Sequence, residues 1–300
     1  MKNPSSKVNV VILNYNGKDV LKRCLSSVFR LDYPDFEVVV VDNNSKDGSL
    51  EEAKNDFSRT TFIKNEENVG FSAGNNVGIK YSLEKQAKYI LLLNNDTEVD
   101  RKLLSKLVGI MEAEKQIGII SPVITEGDED GIWFSGGRID WMKMKAVHDE
   151  IPKESAGKDF FGTGFVSGCA MLVRRDVFQK AGLLDEDFFL YWEDVDFSLR
   201  AKRAGFDLAV SPLSKVKHFE KSEKNKAIKV YWLVVSGLLF FRKNTCFYLK
   251  PWIFFYKIIR KIKNKRDIEK NPQDPIALSV KKAYRDFKNS IKEGKHKQSA

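Results

Sequence analysis

Three apolar runs in this chain end in asparagine and aspartate. "VVILNYNG" closes on Asn14 and Asn16, "VVVVDNNSKDGS" on Asp42 and Asn44, and "YILLLNNDTEVD" on Asn94, Asn95 and Asp96. Each taken singly is a turn, because Asn and Asp side chains hydrogen-bond to their own backbone where strands end. Repeated after successive strands, they gather carboxamides and carboxylates along one edge, where they can hold a polar or charged ligand. Two further stretches carry groups able to move protons or bind metal. "DFFLYWEDVDFSLR" places Glu193, Asp194 and Asp196 directly after Phe188, Phe189, Tyr191 and Trp192, and His218 stands alone in "KVKHFE". Acids in the first turn of a helix complement its dipole. That accounts for acids in general, but less well for their place behind an aromatic run, where the rings serve as core or as a flat apolar platform for a ligand. A lone histidine, without other context, reads as a surface or satisfied residue.

The elements that must position these groups alternate in type. "VNVVIL" is a strand, and "KDVLKRCLSSVFR" is a helix with Val20, Leu21, Cys24, Leu25 and Val28 on one face. "FEVVVV" is the next strand, and Ser49 with Glu52 forms an S-x-x-E capping box for the helix that follows. "TFIKN", a helix running from "ENVGFSAGNNVG" to about Gln86, and "YILLL" complete the series. Strands separated by helices pair in parallel in a doubly wound α/β sheet, which binds ligands outside its carboxyl ends. Gly70, Gly74 and Gly78 match neither GxGxxG nor GxxxxGK[ST]. Their spacing of four fits close packing of a helix on the sheet at least as well as phosphate contact. Beyond residue 120 the alternation breaks. "IWFSGGRIDW" reads as a hairpin around Gly136 and Gly137, and "FVSGCAMLVRRDVFQKAG" as a turn, a strand and a helix ended by Gly182. The helix carrying Glu193 has Val195 and Leu199 on one face and closes at Gly205, and "FDLAVSP" and "KVKHFE" read as two short strands.

Of the 300 residues, 42% are hydrophobic and 31% charged, a globular composition with material for a large core. The opening "MKNPSSKVNVVILNYNG" reads as carrying no secretory signal, and Cys24, Cys169 and Cys246 are too dispersed for a disulfide framework, so the expected compartment is the cytoplasm. Charge divides the chain in two. Lys226 to Ala300 holds 19 Lys and Arg against 5 Asp and Glu, a net +14 that leaves −4 for residues 1–225. The expected organisation is a catalytic domain over 1–225 and a basic helical extension over 226–300. Within the extension, "VYWLVVSGLLFF" and "CFYLKPWIFFYKII" are each shorter than a membrane span and flanked by bases. They read as helices lying on an anionic membrane surface, on its inner face, with packing of the first on the catalytic domain as the other reading. A nucleic-acid-binding role for "KIIRKIKNKR" is disfavoured, since no RNA- or DNA-binding motif accompanies it.

In order along residues 7 to 220, "VVILNYNG", "VVVVDNNSKDGS", "NVGFSAGNNVGI", "LLLNNDT", "FVSGCAML", "DEDFFLYWEDVDFSLR" and "VKH" resemble the family 2 glycosyltransferases of GT-A fold, closest to the rhamnosyltransferase-like branch. The resemblance implies a Rossmann-like, mostly parallel sheet with helices on both faces. It also implies inverting transfer of a sugar from a nucleotide diphosphate, UDP- or dTDP-linked, dTDP-rhamnose included, to an acceptor hydroxyl in bacterial polysaccharide, O-antigen or cell-wall glycan synthesis. The acceptor would be a glycan or a lipid-linked one. "NND" occupies the place of the DxD motif, so Asp96 corresponds to the metal aspartate, and Asn94 in place of a carboxylate reduces anionic ligation. His218 matches a further ligand, and the cofactor is Mn²⁺ or Mg²⁺. Asn14, Asn16, Asp42, Asn44, Gly70, Asn75, Asn94 and Asn95 line the nucleotide-sugar side, with Asp42 accepting from the imide of uracil or thymine. Gly168 and Trp192 fall on the acceptor side. Asp194 matches the catalytic base, with Glu193 as its alternative. A sugar nucleotidyltransferase is the nearest rival, but no glycine-rich basic loop near the N-terminus is present to hold a triphosphate.

Overall fold

Val8, Val10 and Ile12 are buried on one side of the first strand and Val11 on the other. Both faces of this sheet are therefore covered, as the apolar strands require. The computed structural model describes residues 6–127, 131–219 and 226–292. The chain's ends at 1–5 and 293–300, and Glu220 at the close of "KVKHFE", lie outside the described residues, as does the expected domain boundary at 225.

The first half alternates strictly: β1 (Val8–Asn14), α1 (Leu21–Val28), β2 (Phe36–Asp42), α2 (Ser49–Asp56), β3 (Thr60–Lys64), α3 (Gly70–Glu84) and β4 (Tyr89–Asn94). After it come β5 (Thr97–Val99), α4 (Leu103–Ala113), β6 (Ile117–Glu126), β7 (Ile132–Phe134), β8 (Gly137–Asp140), β9 (Lys145–His148), β10 (Phe161–Gly162), β11 (Ala170–Arg174), α5 (Arg175–Ala181), α6 (Glu193–Arg203) and β12 (Asp207–His218). The main sheet runs β10-β12-β6-β11-β4-β1-β2-β3. β3, β2, β1 and β4 are parallel neighbours, β6 and β12 are parallel to each other, and β11 is inserted antiparallel between β4 and β6. The expected doubly wound α/β sheet is thus present, and mostly parallel. α1 and α4 bury their apolar sides against one face and α3 and α5 against the other, while α6 contributes Val195 to the first core and Phe197 and Ala201 to the second.

Three local expectations are corrected. The hairpin around Gly136 and Gly137 does not form: β7 pairs with β6 in the main sheet, whereas β8 leaves it to pair with β9 in a separate ribbon. Gly136, at φ +110°, makes the change of direction. Ser49 is not a cap, because it is already inside α2. Its N–H donates to Asp47 Oδ1 at 3.0 Å, and Glu52 turns to Lys18 at 3.1 Å. "FDLAVSP" and "KVKH" are one strand, β12, with a register shift between Ser211 and Lys215 that lets a single strand span the break.

The basic extension folds as α7 (Lys226–Asn244), α8 (Lys250–Lys270) and α9 (Pro275–Lys292). Val235 to Phe241 of α7 are buried, and Leu239, Phe240 and Phe241 join the core that holds β1 and α1. The reading of "VYWLVVSGLLFF" as a helix on the membrane is therefore replaced by packing on the sheet domain. Those seven residues bury too much apolar surface against Trp192 and Trp141 to lie in lipid.

Candidate active site

Parallel register brings the strand ends together. Asn14 lies opposite Asp42, and Leu13 opposite Asn94, so three polar ends meet at the carboxyl edge. There Asn14 Nδ2 donates to Asp42 Oδ1 at 2.8 Å and to Ser49 Oγ at 2.9 Å, while Asn14 Oδ1 accepts from Asn95 Nδ2 at 2.9 Å. Asp42 is fully buried and also accepts from the Ser45 N–H and hydroxyl. Asn16 and Asn44 both have left-handed backbones, which Asn tolerates best among residues with a side chain. Their side chains hold the adjoining loops: Asn16 Oδ1 accepts from Lys46 N–H, and Asn44 Nδ2 donates to Glu66 O. Asn75 is buried and donates to Phe71 O at 2.9 Å. Gly70 is buried with φ +84°, and a Cβ there would meet Phe189 O at 2.6 Å. These side chains form a preorganised wall at the edge rather than lining the main cavity.

The cavity, about 640 Å³, lies beside that wall, large enough for a sugar donor and part of an acceptor. Asn94, Asp96 and His218 line one side. Their meeting depends on β5: antiparallel pairing sets His218 opposite Thr97, one residue after Asp96. Asp96 Oδ1 and His218 Nε2 lie 3.2 Å apart. Both side chains are poorly satisfied. Asp96 Oδ1 and His218 Nδ1 are buried without a hydrogen-bond partner. The Trp133 ring covers His218 edge-on at 4.7 Å.

Gly168, Glu193 and Asp194 line the other side. Tyr191 and Trp192 are both left-handed, at φ 66° and 71°. Two such residues in succession cost about 1–3 kcal/mol each, and this tight turn starts α6 with its acids facing the cavity. Gly168 N–H donates to Asp194 Oδ2 at 2.9 Å, and Val195 N–H to Asp194 Oδ1 at 2.8 Å, so the carboxylate is held from both sides. Burial raises the Asp194 carboxyl above its ordinary range against the pull of those N–H groups and of His148. Burial raises Glu193 well above the usual range, with Asp194 and then Asp196 adding repulsion, and its Oε2 has no partner. Of this buried pair, Glu193 is pushed up further, because Asp194 accepts from the Gly168 and Val195 N–H groups while Glu193 Oε2 has no donor.

The aromatic run divides in two. Phe188 is core, Phe189 stacks on Trp232 at 4.6 Å, and Trp192 packs against Phe240 with its Nε1–H donating to Leu233 O. Trp192 still borders the cavity. Sequence reasoning missed, among other lining residues, His148 and Lys145 from the β8–β9 ribbon, and Lys229, Tyr256, Arg260 and Tyr284 from the extension. The position of His148 at the end of the short strand β9 offers no local signal for a site, and the extension residues reach the cavity only through helix packing.

A family model for glycosyl transferase family 2 matches residues 9–182, more than half of the chain. A dTDP-rhamnosyl transferase from Shigella flexneri is 26% identical over 250 residues, covering 80% of this chain and 81% of that protein. An N-acetylglucosaminyl-diphospho-decaprenol L-rhamnosyltransferase from Mycobacterium tuberculosis is 23% identical over 230 residues, 70% of this chain and 75% of that protein. Among solved structures, GalNAc-T7 with UDP, GalNAc and Mn²⁺ superposes with TM-score 0.62 at 20% identity, over 78% of this chain and 48% of that one. A Pyrobaculum calidifontis mannosyltransferase with GDP-Man and Mn²⁺ gives 0.58 at 16% identity, over 97% and 80%. These likenesses establish the fold, which is GT-A. With the ordered motifs, the sheet edge and the two acid-bearing cavity walls, the chain belongs to glycosyl transferase family 2 and is similar to its rhamnosyltransferases.

Proposed function

We propose that the protein is an inverting glycosyltransferase that moves a sugar from a UDP- or dTDP-sugar, with dTDP-rhamnose the leading candidate, to an acceptor hydroxyl in bacterial polysaccharide, O-antigen or cell-wall glycan synthesis. One observation carries the reading: the Asp96–His218 pair and the Glu193–Asp194 pair, from distant chain segments, line one cavity. The acceptor is a glycan or a lipid-linked one, and the enzyme works in the cytoplasm at the inner face of the membrane.

The donor's nucleotide lies on the Asn14, Asp42 and Asn44 wall, which the buried Asp42 carboxylate braces by accepting from Asn14 and Ser45. Asn94 and Asn95 reach its phosphates or sugar. Asp96 and His218 fit a divalent cation, because the unpartnered Asp96 Oδ1 and the His218 ring converge without a hydrogen bond of their own. When bound, Mn²⁺ or Mg²⁺ supplies neutralisation of the charge that develops on the departing diphosphate, and the imidazole favours Mn²⁺. Asp194 takes the proton of the acceptor hydroxyl as its oxygen attacks the anomeric carbon. The bond to the diphosphate oxygen breaks on the opposite face and its electron pair leaves with the phosphate. A carboxylate of raised proton affinity, fixed by Gly168 and Val195, suits that task. Glu193, raised further by burial and by Asp194, holds a proton more readily than its neighbour.

General-base catalysis contributes about 10²- to 10⁴-fold, or roughly 3–5 kcal/mol of barrier. Asp194→Asn should lower kcat by about that factor, while UDP or dTDP binding stays within a few-fold. Glu193→Gln should cost less. Retention of more than about a tenth of wild-type kcat by a folded Asp194→Asn protein removes the base role from Asp194.

A further inference from the structure

Large apolar side chains are exposed unevenly. Eight of the sixteen exposed among the described residues fall between Phe247 and Ile262, with Phe247 80% and Phe255 59% exposed. At 100° per residue, Phe254, Phe255, Ile258, Ile259 and Ile262 occupy one stripe of α8 about 140° wide. The opposite side of the helix is engaged: Ile253 is buried, Asn264 Nδ2 donates to Ala277 O of α9, and Tyr256 and Arg260 line the cavity. Thus α8 stands between the active-site cavity and a contiguous apolar surface.

Single exposed apolar residues are ordinary, but a contiguous patch of this kind marks a partner. Charge identifies the partner. From Lys250 to Arg266, α8 contains seven Lys and Arg and no acid. A second copy of the chain, laid on the same stripe, would bring those cations against their equivalents. An anionic lipid surface meets both features, with apolar rings entering the headgroup boundary and ammonium groups reaching lipid phosphates. No described helix is long and apolar enough to cross a membrane, which suits a helix lying flat.

We propose that α8 docks the protein on an anionic lipid bilayer, its Phe/Ile stripe toward the lipid, which brings the cavity lined by Tyr256 and Arg260 to within one helix thickness of the lipid surface. The acceptor is then an amphiphile held in that bilayer, a consequence that rests on the sugar-transfer reading, whereas the docking does not.

The test is flotation of the full chain with vesicles of phosphatidylglycerol and phosphatidylcholine, and with phosphatidylcholine alone. The wild type should float with the anionic vesicles and far less with the neutral ones. The combined variant Phe254→Ser, Phe255→Ser and Ile259→Ser should lower partitioning at least about tenfold, since three apolar side chains leave the interface. An unchanged melting temperature and unchanged nucleoside diphosphate binding would show that the variant is folded. Equal flotation of variant and wild type, equal flotation on both vesicles, or no flotation at all overturns the proposal. So does a wild-type dimer, seen by sedimentation and lost in the variant, without vesicle binding. Donor turnover is measured separately, so failure of the transfer reading and failure of the docking give different results.

Discussion

A buried carboxylate oxygen without a donor costs roughly 1–3 kcal/mol or more, and Asp96 Oδ1 is such an atom. A divalent cation held by Asp96 and His218 would remove that cost. Asp96→Ala should therefore abolish Mn²⁺-dependent dTDP or UDP binding and turnover. His218→Ala should weaken metal use about 10- to 100-fold or more. Titration of each variant with Mn²⁺ at fixed nucleotide reads this directly, and wild-type activity in excess EDTA would contradict it. Glu193 makes a different statement, about pH. Its carboxyl is raised well above 4.5 by burial and by Asp194. The stability of the protonated form is fully present below the unfolded value of about 4.5 and is lost as pH rises through the raised folded value. Glu193→Gln keeps the neutral shape at every pH. It should unfold in urea much like wild type below about pH 4.5 and become progressively more stable than wild type above it. Parallel curves for the two proteins would show that Glu193 is ionised when folded.

At the scale of elements, α3 packs closely on β1 and β2 behind the polar edge. A Cβ on Gly78 would run into the side chains of Val11 and Val41, the latter at 3.1 Å. Gly109, in α4, is exposed with nothing within 4 Å of its Cβ position. Gly78→Ala should lower stability by about 1–3 kcal/mol, since overpacking outweighs the helical gain. Gly109→Ala should raise it by about 0.4–1 kcal/mol. Chemical denaturation of the pair checks both signs. The sheet and its polar edge were legible because buried parallel strands are continuous apolar runs, so their Asn and Asp ends stand out. Close packing at Gly74 and Gly78 was legible for a related reason, since the spacing of four repeats along one helix face. The β7–β8 turn was not, because Gly-Gly marks a change of direction without saying which strand each arm will pair with. Nor was the start of α2, where Gly48 takes the left-handed cap position and Ser49 donates to Asp47 instead of capping the helix itself. The meeting of Asp96 with His218 depends on the β5–β12 register, and that of Arg260 with the cavity on helix packing. Neither is a local property of sequence.

For the whole molecule, the extension matters as much as the sheet domain. α7 is tied to the loop before α6 by Ser236 Oγ donating to Leu190 O and by Lys243 paired with Asp185 and Asp187. Asn244 Nδ2 donates to Asp196 Oδ1 within α6 itself. The acid-bearing turn is thus held between the sheet and the basic helices, which explains how a +14 segment and a −4 body make one site. What the whole assembly does is separable from its rivals by its products. The purified full chain, incubated with a panel of UDP- and dTDP-sugars, Mn²⁺ and a lipid-linked or glycan acceptor, should release UDP or dTDP and pass the sugar to the acceptor. The new linkage should have the opposite anomeric configuration by NMR, and EDTA should stop the reaction. Sugar transfer with retained configuration, or a protein that instead joins a nucleoside triphosphate to a sugar phosphate and releases pyrophosphate, would contradict the account.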